Sequence, residues 1–116
     1  QAKNVMFMPS ALISLKDGPK VAASEMKKSG ISSVFVVDNK RILQGLVTID
    51  ATVQAIKENK TLAEVMTQDF HTTEPDEYVQ ELIPMATDSK YPIAVVNEDR
   101  KLLGIIVRVS VLSSLI

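Results

Sequence analysis

The side chains best suited to acid–base chemistry are three neighbouring carboxylates, Glu74, Asp76 and Glu77. Two such groups close together can act as a general acid and a general base. Acidic residues also often precede helices, because the helix dipole stabilises negative charge at the N-terminus. We favour the second interpretation, since catalysis requires a converging set of acid, base or nucleophile and the sequence offers no such set.

The other candidates for chemistry are isolated. His71 is the only histidine, and a lone histidine without a nearby acidic cluster is more often a surface residue than a ligand or base. The sequence has no cysteine, which excludes disulfides, thiolate metal sites and cysteine nucleophiles. It also has no G-x-x-x-x-G-K-[ST] motif, which excludes P-loop ATP hydrolysis within these residues. We therefore predict a protein that is not an enzyme, with no catalytic residues, no metal site and no required cofactor.

Composition narrows the class of protein further. Of the 116 residues, 46% are hydrophobic and 4% aromatic, so the core must be mainly aliphatic. A net charge of −1 is unlike the positive field of nucleic-acid binders, and we expect no nucleic-acid partner. The longest apolar run, residues 102–107, is too short to cross a bilayer, so we expect no direct membrane insertion. The chain begins Gln1-Ala2, and we expect it to be part of a longer protein.

An internal repeat organises the chain. Residues 33–38 and 92–97 are apolar runs that end in Asp or Asn, and each is followed by a charged turn. A glycine then opens a second apolar run, and these glycines, Gly45 and Gly104, are 59 residues apart. Such a fixed period indicates a duplicated unit. We place the two modules at residues 1–60 and 61–116.

Each module is predicted to have the order β-α-β-β-α. A short strand comes first, over residues 11–15 or 70–73. In the first module a helix begins at Gly18-Pro19, since proline suits the first helical position, and ends at Gly30. Two strands then form a hairpin. The last helix is predicted to begin at Asp50 or Ser110, which are good N-caps, and Pro84 should kink or shorten the earlier helix of the second module.

The duplicated order, with GISSVFVVD…GLVTID in one copy and YPIAVVN…GIIVRVS in the other, resembles a tandem pair of cystathionine-β-synthase-type (CBS) modules. The resemblance covers essentially the whole chain. It implies an α+β fold in which two β-α-β-β-α modules pack as a pseudo-two-fold pair, with clefts that bind adenine nucleotides in many relatives.

A narrower resemblance concerns residues 17–51, which end in the phrase GLVTID followed by alanine. This stretch is similar to the C-terminal regulatory region of the ATP-binding subunit of glycine betaine/proline ABC importers. The resemblance implies a regulatory module that senses ionic strength, an adenine nucleotide or cyclic di-AMP, and controls transport. Its partners would be the parent ATPase domain and the transporter membrane subunit, and its location the cytoplasmic face of the cell membrane. The alternative is a nucleotide-sensing CBS pair from another enzyme, a channel or a stand-alone protein.

The resemblance also implies site residues. Nucleotide-binding relatives have Thr or Ser three residues after the hairpin glycine and Asp three residues further on. Here the first module has Thr48 but Ala51, with Asp50 one residue early, and the second has Val107 and Ser110. Neither module keeps the pair, which predicts weak binding of AMP and ATP. The full set of candidate ligand-binding residues is Thr48, Asp50, Arg108, Ser110, Ser32, Ser33, Tyr91 and Pro92. Simple alternatives remain open: helix capping for Asp50 and Ser110, a half-buried strand position for Thr48, and a solvated charge for Arg108.

Two further features bear on assembly. The last helix is rich in apolar residues, from Val109 to Ile116, and we expect it to be covered in a homodimer. Residues 1–60 carry a net charge of +4 and residues 61–116 a net charge of −5. This split either reflects two ordinary solvated surfaces or favours head-to-tail pairing, in which opposite charges meet.

Overall fold

The computed structural model describes all 116 residues, and they form two compact units. The first unit contains residues 10–68, and the second contains residues 1–9 together with residues 69–116. The opening segment of each sequence repeat therefore packs with residues of the other repeat. None of the six helices has the length and apolar character needed to cross a membrane.

The first unit has the order β-α-β-β-α followed by a short helix. Its elements are β1 (Ile13–Ser14), α2 (Pro19–Ser29), β2 (Ser33–Val37), β3 (Leu43–Thr48), α3 (Ile49–Glu58) and α4 (Leu62–Val65). The sheet order is β1-β2-β3, with β1 parallel and β3 antiparallel to β2. The predicted boundaries of α2 are confirmed: Pro19 is its first residue, and Gly30 ends it in the left-handed conformation with φ of 67°.

The second unit repeats this arrangement. Its elements are α1 (Ala2–Val5), β4 (Thr72–Thr73), α5 (Val79–Asp88), β5 (Ile93–Val96), β6 (Leu102–Ile106) and α6 (Arg108–Ser113). The sheet order β4-β5-β6 again combines one parallel and one antiparallel pair. Helix α5 continues through Pro84 and is one residue shorter than α2. The α+β class and the repeated β-α-β-β-α order are thus both confirmed.

The predicted starts of the last helices are wrong by two to three residues. The N-cap of α3 is Thr48, whose Oγ1 accepts a hydrogen bond from the Ala51 N–H at 3.1 Å, and Asp50 lies in the first turn. The N-cap of α6 is Val107, which offers no side-chain bond, and Ser110 is the third helical residue. Val107 occupies the repeat position of Thr48, so the end of the preceding strand determines where the helix starts. The preference of Asp and Ser for N-cap positions does not shift this start.

The acidic cluster does not lie in the first turn of a helix. Glu74, Asp76 and Glu77 lie in the turn between β4 and α5, and the first turn of α5 contains Glu81 instead. Asp76 forms an exposed ion pair with Lys3 at 3.7 Å. The backbone of this turn has a packing role, since the Glu77 carbonyl accepts a hydrogen bond from the Ala2 N–H at 2.7 Å.

Each unit has an aliphatic core, as the composition predicts. In the first unit Met26 of α2 and Leu62 of α4 pack with the inward side chains of β1, β2 and β3. In the second unit Ala2 of α1 packs with Leu82 of α5, Val111 of α6 and residues of β5 and β6. Burying aliphatic groups of this size stabilises by about 1.5–3 kcal/mol each. The short helices α1 and α4 are therefore held by packing, since helices of four residues are not stable alone.

The two repeat glycines allow these short segments to approach the sheets. A Cβ atom on Gly45 would lie 2.8 Å from the Met66 sulfur, and one on Gly104 would lie 3.0 Å from the Met6 sulfur. Both distances are shorter than ordinary van der Waals contact. Glycine is needed at these strand positions because another segment of the chain crosses directly over the backbone.

Candidate functional site

A surface cavity of about 440 Å³ lies in the second unit. Its walls come from the end of α5, the start of β5 and the junction between β6 and α6. The lining residues are Ala86, Ser89, Lys90, Tyr91, Pro92, Ile93, Ile106, Val107 and Arg108. Three of the predicted site residues, Tyr91, Pro92 and Arg108, are therefore brought together.

Strand pairing explains why these residues meet. Strands β5 and β6 are antiparallel, and Ile93 at the start of β5 pairs with Ile106 at the end of β6. Residues that precede β5 and residues that follow β6 must therefore lie at the same end of the sheet. Tyr91-Pro92 and Val107-Arg108 are the flanking dipeptides on the two sides.

The cavity combines positive charge with apolar surface. Lys90 and Arg108 are both exposed, and no Asp or Glu is among the lining residues. Tyr91 is half-buried and lines the same cavity as the two cations. Arginine forms paired hydrogen bonds with phosphate oxygens, and aromatic rings stack on nucleobases. The arrangement suits an anion that carries an aromatic base.

Ser89 fixes the loop that carries the cavity's polar groups. Its Oγ donates to the Tyr91 carbonyl at 2.6 Å and accepts from the Tyr91 N–H at 3.1 Å. Its own N–H donates to the Met85 carbonyl at the end of α5. The hydroxyl thereby holds the backbone on both sides of Lys90. In the first unit the equivalent turn uses Gly30 in the left-handed conformation.

The corresponding end of the first sheet brings together the other predicted residues but has different chemistry. Ser33 pairs with Thr48 across β2 and β3, and the Ser32 carbonyl accepts a hydrogen bond from the Ile49 N–H at 2.9 Å. Thr48 Oγ1 already accepts the hydrogen bond of the helix cap. The repeat positions of Lys90 and Arg108 hold Ile31 and Ile49, and the exposed carboxylate of Asp50 lies nearby in sequence. At those positions, this end of the first unit therefore has no cation that could bind an anion.

Sequence reasoning missed two polar residues of the cavity, and one of its four candidates in the second unit lies outside it. Lys90 and Ser89 line the cavity, whereas Ser110 does not. The signal for Lys90 was its position directly before the Tyr91-Pro92 pair. Ser110 was predicted as the N-cap of α6. Because α6 starts earlier, Ser110 is instead a half-buried residue within the helix.

A second, smaller cavity of about 170 Å³ shares the Ser89–Tyr91 wall and contains His71. The His71 Nε2 atom lies 3.7 Å from Asp88 Oδ2, and both side chains are substantially exposed. No group of three or more His, Cys, Asp or Glu residues is arranged to hold a metal ion. The pair is an ordinary surface ion pair that forms when the histidine is protonated.

The match to a known family agrees with both repeats. The family model of the CBS domain matches twice, over residues 2–58 and 62–116. The chain belongs to the CBS domain family. CBS domains are regulatory modules, and this chain is a tandem CBS pair.

Three known proteins are similar to this chain over nearly its whole length. The chain is 43% identical over 115 residues to the glycine betaine/carnitine transport ATP-binding protein GbuA of Listeria monocytogenes, covering 98% of this chain and 29% of that protein. The structure of OpuCA from Staphylococcus aureus matches with a TM-score of 0.86 and 26% identity, covering 96% of this chain and 95% of that one. The CBS pair of protein MJ0100 in complex with 5′-methylthioadenosine and S-adenosyl-L-methionine matches with a TM-score of 0.76 and 27% identity, covering 98% and 93%.

Proposed function

We propose that this CBS pair is the regulatory region of an osmoprotectant ABC importer's ATP-binding subunit. In this proposal an adenine nucleotide or dinucleotide, ionic strength, or both control transport through it. The similarity to GbuA over nearly the whole chain supports the host. Because the chain spans 29% of that protein's length, ATP hydrolysis would belong to the remainder of such a subunit. The regulatory pair would then lie at the inner face of the membrane, next to the transporter membrane subunit.

The cavity beside Arg108 carries the ligand part of the proposal. Its volume of about 440 Å³ falls within the range of ~300–1,000 Å³ that is typical of ligand sites. Arg108 and Lys90 would hold phosphate oxygens, and the ring of Tyr91 would stack on a base. The MJ0100 pair in complex with two adenosine derivatives supports the choice of an adenine ligand.

The lining residues favour a cyclic dinucleotide over AMP or ATP. A ribose with free 2′ and 3′ hydroxyls is gripped best by a carboxylate, and the cavity has none among its lining residues. Cyclic di-AMP has two phosphates and two bases but no free diol. Since the first unit has Ile31 and Ile49 in place of the cations, we expect one phosphate-binding site per chain.

A homodimer is the assembly we propose. Two apolar residues of α3, Val53 and Ile56, are 41% and 39% exposed, and their repeat equivalents Leu112 and Leu115 are 40% and 55% exposed. Both units thus leave apolar side chains uncovered at the same positions. A repeated apolar surface of this kind is typical of a protein–protein contact, and a second copy of the chain presents the same surface.

Binding of cyclic di-AMP by a charge-removing variant and a matched control tests the ligand. Arg108→Gln should weaken binding by about 10-fold or more, because a hydrogen bond to a charged group is worth ~1.5–3 kcal/mol. Lys101→Gln removes an exposed positive charge from the hairpin turn, outside the cavity, and should leave affinity almost unchanged. Isothermal titration calorimetry measures both. Equal losses for the two variants, or micromolar binding of AMP that requires its free diol, would contradict the proposed site.

A further inference from the structure

The leading segment, which we define as residues 1–9, is docked on the unit that contains the cavity. Ala2 N–H donates to the Glu77 carbonyl at 2.7 Å and Lys3 N–H donates to the Pro75 carbonyl at 3.0 Å. Phe7 exchanges two backbone hydrogen bonds with Ile105 of β6, at 3.0 and 2.9 Å. The segment is therefore held at both of its ends.

The core on which the leading segment packs shares residues with the wall of the cavity. Ala2 is fully buried in a cluster that includes Ala86, Ile93 and Ile106, and these three residues line the cavity. Ile105, the partner of Phe7, directly precedes Ile106, Val107 and Arg108. Ile105 of β6 therefore pairs with the leading segment, and the next residue, Ile106, lines the cavity.

We propose that the leading segment is the output element of the second unit, so that a ligand in the cavity stabilises its docking on β6. This inference rests on the proposed function of the cavity. A ligand held by Arg108 would order the end of β6, which makes the pairing of Ile105 with Phe7 more stable. Any domain joined ahead of Gln1 is attached directly to this segment and would experience the change. By thermodynamic linkage, docking must strengthen ligand binding by the same factor.

The first unit provides a matched control for this coupling. Thr67 is the repeat equivalent of Phe7, and it exchanges the same two backbone hydrogen bonds with Leu46 of β3. Phe7→Pro and Thr67→Pro each remove one donor from such a pair. In both cases the preceding residue, Met6 or Met66, is already extended, with ψ of 158° or 152°. Extended backbone is the conformation that a following proline favours.

A second pair of variants, which substitutes glycine with alanine, is used if the proline variants do not fold. Gly104→Ala would place a Cβ atom 3.2 Å from the Phe7 carbonyl oxygen and 3.0 Å from the Met6 sulfur, which loosens the leading segment. Gly45→Ala would place one 2.8 Å from the Met66 sulfur and disturbs the equivalent segment of the first unit. Circular dichroism melts identify the variants that remain folded.

Hydrogen exchange measured by mass spectrometry, with cyclic di-AMP as the probe, tests the coupling in both directions. The probe should slow exchange at residues 2–7 of the wild-type chain several-fold more than at residues 62–67. In calorimetry, Phe7→Pro or Gly104→Ala should weaken probe binding by about 5-fold or more, the lower range of typical couplings. Thr67→Pro and Gly45→Ala should not.

A measurement without ligand separates this inference from the ligand assignment. Loosening the leading segment should speed exchange at residues 107–111 more than Thr67→Pro or Gly45→Ala speeds it at residues 48–52. If the probe does not bind the wild-type chain, the proposed ligand is wrong and this ligand-free comparison decides the coupling. If the probe binds but residues 2–7 exchange as before, or if the two sets of variants act alike, the leading segment is not the output element.

Discussion

Thr48 and Val107 occupy the same repeat position but do different things for the helix that follows. Thr48 caps α3 through its Oγ1, whereas Val107 leaves the first turn of α6 without a side-chain cap. We expect Thr48→Ala to lower the free energy of unfolding by about 1 kcal/mol, the usual value of such a cap. Val107→Thr should raise it by a similar or smaller amount. Urea unfolding curves measure both changes, and a neutral Thr48→Ala would show that the cap contributes nothing.

The individual site residues were partly predictable from the sequence. The CBS resemblance and their positions beside the hairpin singled out Tyr91, Pro92 and Arg108. The structure brings all three to one cavity, and their role in ligand binding stays a prediction. Asp50 and Ser110 were assigned as helix caps because they are favourable cap residues, yet strand register starts both helices earlier. Lys90 was not selected, although it directly precedes the Tyr91-Pro92 pair, since its residue type alone does not show that it borders a cavity.

Proline has opposite consequences in the two equivalent helices α2 and α5. Pro19 is the first residue of α2, where its missing N–H is not needed. Pro84 lies inside α5 and is exposed, so it removes a helical hydrogen bond and gains little packing. Pro84→Ala should therefore increase the free energy of unfolding, by at most about 3 kcal/mol. Pro19→Ala should decrease it by about 0.4–1 kcal/mol, because it frees the unfolded chain. Thermal unfolding of the two variants should show shifts of opposite sign.

The order of elements was predictable, but the packing of residues 1–9 with residues 69–116 was not. Hydrophobic runs, turn residues and the constant spacing predict both hairpins and helix α2 with its boundaries. Residues 2–6 and 62–66 are similar in sequence, and each crosses a strand glycine of the unit that it joins. Because the two segments are alike and the two glycines hold equivalent repeat positions, local sequence did not indicate which sheet each segment joins. Only the three-dimensional structure reveals that residues 1–9 join residues 69–116.

Because residues 1–9 belong to the second unit and residues 61–68 to the first, the net charge of each unit differs from that of the corresponding sequence repeat. The first unit contains eight Lys or Arg and six Asp or Glu, and the second contains five and eight. Their net charges are therefore +2 and −3, compared with +4 and −5 for the sequence repeats. The electrostatic preference for head-to-tail pairing keeps its sign but is weaker than the sequence suggested.

Apolar packing should consequently dominate the stability of the proposed homodimer. Leu112→Glu places a charge within the exposed apolar surface of α6 and should weaken dimerisation by about 10-fold or more, since burial of a leucine is worth ~1.5–3 kcal/mol. Ser113→Glu adds the same charge at the next exposed position of the helix and should have a smaller effect. Analytical ultracentrifugation gives both dissociation constants. A wild-type chain that remains monomeric at tens of micromolar (roughly a −6 kcal/mol interface) would rule out the dimer.

Salt should weaken this dimer only modestly. Opposite net charges on the two units attract, but surface charges more than about 8 Å apart are screened at physiological ionic strength. Exposed ion pairs contribute less than about 1 kcal/mol each. We therefore expect the dimer dissociation constant to rise by about 10-fold or less between low and high KCl, which is a gradual response suited to sensing internal salt.

The arrangement of the chains can be read from the same samples. Head-to-tail pairing predicts that cross-links from Lys27 or Lys28 of one chain reach the turn that contains Glu74, Asp76 and Glu77 of the other. Leu112→Glu, which should separate the chains, is the control for links formed within one chain. Opposite charges must lie close together for salt to act on the contact. An affinity that is independent of KCl, together with cross-links between equivalent units alone, would therefore show that apolar packing by itself determines the assembly, and that ionic strength is not sensed through this contact.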